Sequence, residues 1–305
     1  MKASLLPLLH PVVALLAAPL LPGVINRVKA FHAGRRGPLV LQLYHDLARL
    51  ARKGAVYSET TTWLFRAGPL LGCAAVVTAL FLVPCGGLPA PVTFAGDLLL
   101  FAWLLGLGRF CTVLAALDTG SSFEGMGASR EVFFAALTEP ILLAGLAVLV
   151  RLTGAASLTG LYARITPTLW GDSAAVIVLV AVTFLVVLLT ENARLPIDDP
   201  STHLELTMIH EVMVLDHSGP DLALIHYGAA LKLWVLGALL VGVCLPVRTG
   251  RPLPDAAAFL AGMVALAACV GLIESTMARL RLSRVPQLLV GAGAISTLAV
   301  ILSLR

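Results

Sequence analysis

Between Glu191 and Asp221 the chain places seven carboxylates, Glu191, Asp198, Asp199, Glu205, Glu211, Asp216 and Asp221, out of seventeen in the whole sequence. His203, His210 and His217 are interleaved with them. Carboxylates and imidazoles at this density can hold a metal, relay protons, or meet a partner's surface. A metal would have to use His203, His210 and Glu211. The stretch "HEVMV" has Val214 where H-E-x-x-H needs its second histidine, and no other cluster supplies ligands, so no metal site is assigned. A plain solvated acidic helix is one reading of the segment; a docking or proton-handling element at a membrane face is the other.

The membrane enters because this segment directly follows "AAVIVLVAVTFLVVLL", sixteen residues without a charge. Other ionisable residues stand inside similar apolar runs: Arg109 in "LLGLGRFCTVL", Glu139 in "ALTEPILLAGL", Glu274 in "GLIEST", and also Asp97 and Lys232. A charge at the bilayer centre costs about 2.5 to 3.5 kcal/mol even on lenient insertion scales, so each exception needs a reason. Glu139 is expected either as a buried acid kept neutral or as a partner of Arg109, and in both cases as a group able to exchange protons. Lys232, one turn into its span, and Asp97, near the outer end of its own, are expected to snorkel to the nearest interface.

These residues need a scaffold, and composition names its class. The chain is 59% hydrophobic and 12% charged, with a mean hydropathy of +0.95. Soluble domains carry about 25% charged residues, so this chain cannot cover itself with a polar shell. It is expected to be an all-α, polytopic membrane protein forming one domain over 1–305. Apolar windows place eight spans near 5–26, 67–84, 94–117, 132–153, 174–190, 227–247, 256–275 and 286–304.

With eight spans, thirteen Lys and Arg fall in the loops after odd-numbered spans and six on the other side. The positive-inside rule then puts the loops near 27–66, 118–131, 191–226 and 276–285 in the cytoplasm and both termini outside. The start, "MKASLLPLLHPVVALLAAPLLPG", is read as a retained span rather than a cleaved signal, because the basic "NRVKAFHAGRRG" follows it. Pro7, Pro11, Pro19 and Pro22 predict a kink whose freed carbonyls need partners on neighbouring helices. In the first loop, Leu39, Leu43, Leu47 and Leu50 recur at helical spacing and predict an amphipathic helix lying in the interface. Asp199-Pro200 and the capping-box pattern Thr202-x-x-Glu205 predict a helix over about 200–214. Cys73, Cys85, Cys111, Cys244 and Cys269 are scattered, without the spacing of an iron–sulfur or zinc site.

Two motifs give these features a context. Glu191-Asn192-Ala193-Arg194-Leu195-Pro196-Ile197-Asp198 has an E-x-x-R-x-P-x-D skeleton, and Gly127-Ala128-Ser129-Arg130 is followed by Glu139 nine residues beyond the arginine. Both resemble the membrane subunit that joins the two arms of respiratory complex I and of its relatives, the membrane-bound nickel–iron hydrogenases. The complex I members continue with a run of glutamates; here Glu205 keeps one, while Ser201 and His203 stand at others. "DDPSTHLELTMIHE" and "LDTGSSFEGMGASRE" are similar instead to the hydrogenase branch that includes formate hydrogenlyase.

The resemblance implies a non-catalytic subunit without a cofactor of its own. The nickel–iron centre and iron–sulfur clusters would belong to the hydrogenase large and small subunits and a ferredoxin-like subunit, with antiporter-like membrane subunits alongside; nothing points to nucleic acid. It implies a proton path or coupling role for Glu139, Glu191, Asp198, Asp199 and Glu205, with Arg130 and Arg194 as their charge partners; Glu211, Glu274 and Arg109, charges beside or inside the apolar runs, are candidates for the same path. It implies a docking surface that includes Glu124, Glu131, Asp216, Arg279 and Arg281. The equivalent subunit of a quinone-reducing complex and a stand-alone proton or ion transporter are the alternatives.

Overall fold

The structure is a computed structural model, and it describes residues 6–198, 208–246 and 249–304. Among these residues there is no β-strand beyond one isolated bridge, Cys85 to Leu88. The helices are α1 (Leu6–Ala17), α2 (Leu20–His32), α3 (Gln42–Ala51), α4 (Trp63–Leu80), α5 (Asp97–Asp118), α6 (Ser122–Thr153), α7 (Leu158–Arg164), α8 (Pro167–Glu191), α9 (Gly219–Cys244), α10 (Pro252–Thr276) and α11 (Val285–Ser303). Among the described residues seven helical segments are long and apolar enough to cross a membrane, and α1 with α2, bent by 48°, make eight when the pair is counted as one broken span.

The expected spans are therefore all present, and each departure has a local cause. The first span breaks at Pro19, which lacks an N–H and stands just before α2. The fourth starts at Ser122, so the expected loop over 118–131 is mostly helix, built from the polar stretch "SFEGMGASRE". The helix persists there because Gly127 and Ala128 are buried against the segment around Ile209, Val212 and Met213. The sixth span begins at Gly219, eight residues before the expected 227. The expected helix over 200–214 falls largely outside the described residues. The part that can be seen is a short 3-10 helix, Glu211–Val214, rather than a continuing α-helix. The short α7 had no counterpart in the hydropathy pattern; it buries Leu158, Leu161 and Tyr162.

α9 is the central post, with Leu231, Val235 and Trp234 among its buried residues. α2 packs closely on α10, where a Cβ at Gly271 would stand 3.0 Å from the Ile25 carbonyl oxygen. This is the close small-residue contact that membrane helices use in place of a hydrophobic driving force.

The loops after the first, third, fifth and seventh spans gather at one end. Asp118 accepts from the backbone N–H groups of Thr62 (2.6 Å) and Phe65 (3.2 Å), capping the start of α4 with an anion. Val56 N–H donates to the Ser218 hydroxyl at 3.1 Å, and Leu280 N–H to the Pro196 carbonyl at 2.8 Å. At the other end Asp97 is buried and accepts from Leu158 N–H at 2.7 Å. Asp97 therefore does not snorkel; it ties α5 to the start of α7.

Candidate functional site

Apart from Asp97, the charged residues of the apolar runs gather near the loop-bearing end of the bundle. Arg109 projects from the middle of α5 with its side chain 7% exposed. Its guanidinium pairs with Glu139 and Glu191 and lies 3.4 Å from Glu131. The second oxygen of Glu191 is 2.7 Å from Lys232 Nζ on α9. Two cations and three carboxylates from α5, α6, α8 and α9 thus form one cluster. Desolvating any of these charges alone would cost several kcal/mol, so the cluster must be assembled as a set. A cavity of ≈ 100 Å³ opens beside it, lined by Arg109, Glu131, Glu191, Lys232 and His210.

Lys232 does not snorkel to the interface. It lies thirteen residues beyond the start of α9, not one turn in, and points at Glu191. Sequence reading missed this partnership because the start of the span was set too late.

The E-x-x-R-x-P-x-D segment is pinned at each of its charges. Glu191 is held by α5 and α9, as above. Arg194 reaches Glu274 on α10 at 3.4 Å. The Glu274 side chain is fully buried and also meets Lys29 of α2 at 2.8 Å, a partner that sequence reading assigned to a basic loop. Asp198 accepts from the N–H groups of Ile209 (3.1 Å) and His210 (3.2 Å) and pairs with Arg279 at 2.7 Å. A single eight-residue stretch thereby ties the end of α8 to α5, α9 and α10 and to the segment that follows it.

The second motif meets that same segment. Arg130 donates to the Met208 carbonyl at 2.9 Å, and a Cβ at Gly127 would fall 2.2 Å from Val212 Cγ1 and 2.9 Å from the Ile209 carbonyl oxygen. Only a residue without a side chain allows this approach. Arg109 pairs with Glu139 and Glu191 and Arg194 with Glu274; the Arg130 contact described here is to backbone.

The expected docking residues separate into two groups. Asp216 and Arg281 are exposed, and Arg279 is half-buried. Glu124 is buried, with its carboxylate receiving the Asp216 N–H at 3.2 Å. Glu131 turns inward to Arg109 with its side chain 16% exposed. Neither belongs to an outer face, because α6 extends further than expected and presents them to the interior. Glu211 lines a second cavity of ≈ 500 Å³ together with Asn26, Arg194, His217 and His226. Asp199 and Glu205 lie outside the described residues.

Two imidazoles of the 192–218 loop are shifted by their surroundings. Burial pulls His210 below the ordinary imidazole value, while Glu131, Asp198 and Glu191 act in the opposite sense. Burial also lowers His217, which stacks on Phe65 with ring centroids 3.9 Å apart.

This arrangement can be compared with known proteins. The family model for NADH dehydrogenase matches residues 5–304. The chain belongs to the NADH dehydrogenase family. Within reach of this family, formate hydrogenlyase subunit 4 of Escherichia coli (strain K12) is 31% identical over 293 residues, covering 93% of both chains. Hydrogenase-4 component C of the same organism is 30% identical over 246 residues, 81% of this chain and 76% of that one. The fold is that of a chain in the membrane-bound sulfane sulfur reductase, an archaeal respiratory membrane complex. The TM-score is 0.83 at 18% identity, over 99% of this chain and 100% of the other. This NADH dehydrogenase family member is thus a multi-pass membrane protein whose relatives are named as parts of larger assemblies.

Proposed function

We propose that the chain is the membrane-anchor and coupling subunit of a membrane-bound nickel–iron hydrogenase complex of the formate hydrogenlyase kind. In this reading the loop-bearing end docks a soluble arm made of the hydrogenase large and small subunits and a ferredoxin-like subunit. The charge cluster beneath it links turnover in that arm to proton or ion movement. The observation that carries the reading is the connected series Glu139–Arg109–Glu191–Lys232, which runs from under the loops into the span region.

Glu139 adds a direction. Its side chain is 48% exposed although it lies in the middle of α6. Arg109 holds one of its oxygens, but a carboxylate that also faces lipid at that depth is costly, so its outer side calls for a polar neighbour. A further membrane subunit of the antiporter-like kind would supply one. Among the described residues no three His, Cys, Asp or Glu side chains gather as a metal site. In this reading the nickel–iron centre and the iron–sulfur clusters belong to the partner chains.

Glu139→Gln in the intact complex is the test of coupling. The complex should assemble and turn over with lowered proton translocation; full translocation would sink the assignment. Docking is tested at the exposed charges, by Asp216→Lys with Arg281→Glu, since Asp198 is buried and its reversal would disturb the fold itself. The soluble arm should no longer co-purify. The ≈ 500 Å³ cavity favours one second reading, a quinone site in a quinone-reducing complex. Labelling of its lining by a photoreactive quinone analogue would support that reading.

A further inference from the structure

The two cavities at the loop-bearing end share a wall. The smaller one holds the charge cluster. The larger lies between α2, α3, α9 and the loop segments around Arg194 and Glu211. Among the described residues, Asn192, His210, Ile225 and Ala229 line both, and of these four only His210 has a side chain that can take up and release a proton.

We propose that His210 carries protons across this wall, between the larger cavity and the carboxylates of the charge cluster. This deepens the coupling reading above and rests on it. Its position is fixed at the backbone, where the His210 N–H donates to Asp198 Oδ2 at 3.2 Å and Asp198 is in turn held by Arg279. The main chain is thereby held at the partition, where His210 lines both spaces.

The charged and titratable groups around it come from every packed element. Arg109 of α5, Glu131 of α6, Glu191 at the end of α8 and Lys232 of α9 line the smaller cavity with it, and Arg194, Asp198, Glu211, His217 and His226 line the larger one. Burial favours a neutral ring at rest, the form that can accept a proton, and the nearby acids stabilise the ring once it is charged.

The step balances without a redox partner. The neutral imidazole takes a proton onto its unprotonated nitrogen from the larger cavity and becomes imidazolium. It then releases the proton on its other nitrogen to a carboxylate of the cluster, and rotation of the ring or tautomer exchange restores the starting form. Only N–H and O–H bonds are made and broken. Arginine and lysine at this place would stay protonated, and asparagine or glutamine could not pass on a proton.

The experiment uses the whole complex in sealed membrane vesicles, with proton movement followed by a pH-sensitive dye and normalised to assembled complex. His210→Gln should lose most of the transport. His210→Ala should lose it too, and added imidazole, small enough to enter the larger cavity, should restore part of it. Undiminished transport in the glutamine variant overturns the proposal, as does an assembled alanine variant that imidazole does not rescue. If the alanine variant does not assemble, the glutamine variant decides alone. Glu191→Gln, measured alongside, separates the two levels. Loss of transport there with none in His210→Gln removes the histidine from the path and leaves coupling intact. A wild-type complex that turns over without moving protons removes the coupling reading itself.

Discussion

Tyr227 on α9 donates its hydroxyl to the carbonyl of Leu15, 2.8 Å away. In an unbroken helix that carbonyl would accept from residue 19, which is Pro19 and has no N–H. Tyr44 of the amphipathic α3 does the same for the next carbonyl, that of Leu16. The 48° bend between α1 and α2 is thus closed by two phenols from other elements, as the prolines of the first span require of any neighbour that packs there.

Replacing Tyr227 with Phe should leave the Leu15 carbonyl without its partner and cost about 1 to 3 kcal/mol. Pro19→Ala would return an N–H to that carbonyl. The penalty of Tyr227→Phe should therefore shrink in the Pro19→Ala background, measured by denaturant unfolding in detergent micelles. Equal penalties in both backgrounds would mean that the proline is not the reason for the bond.

Gly127→Ala should destabilise the chain by about 1 to 3 kcal/mol, the range for overpacking a close contact. Its Cβ would meet Val212 Cγ1 at 2.2 Å, whereas a Cβ at Gly125, two residues earlier, would meet nothing within 4 Å. Gly125→Ala should be neutral or slightly stabilising, because alanine suits a helix interior better. A thermal unfolding comparison of the two variants decides, and similar shifts would argue against the close approach of α6 to the 208–214 segment.

The spans and the gathering of four loops at one end were legible because bilayer thickness and the distribution of Lys and Arg constrain them directly. Partnerships were less legible. The cost of a charge in an apolar run allowed Arg109 to be offered as one alternative for Glu139, but Lys29 looked like part of a basic loop and Lys232 like a snorkelling side chain. In both cases the missing information was depth: helices α2 and α9 begin or end several residues from where hydropathy places them. Hydropathy stops at the last apolar turn, while a helix continues wherever packing and ion pairs sustain it. The same cause hid the inward turn of Glu124 and Glu131 on the polar start of α6.

Lys232→Met should be costly because it removes one of two cations from the buried Glu191 carboxylate, whose side chain is 5% exposed. Removing one partner of a buried pair costs about 3 to 5 kcal/mol. Adding Glu191→Gln removes the stranded charge as well, so the double variant should be more stable than Lys232→Met alone. A double variant as unstable as the sum of its parts would show that the two residues are not coupled.

His217 gives a prediction with a definite sign in pH. Burial against Phe65 lowers its pKa below the ordinary 6.5, so the unfolded chain takes up a proton that the folded chain resists. Unfolding then binds protons in the window from 6.5 down to the folded value, and stability falls as pH drops through it. Above 6.5 the residue contributes no pH dependence. His217→Phe keeps an aromatic ring on Phe65 but cannot titrate, so the acid-side slope of stability should become shallower. It should not vanish, because burial shifts His210 in the same direction. Unfolding free energies across the window for both proteins make the comparison, and an unchanged slope would place the titration elsewhere.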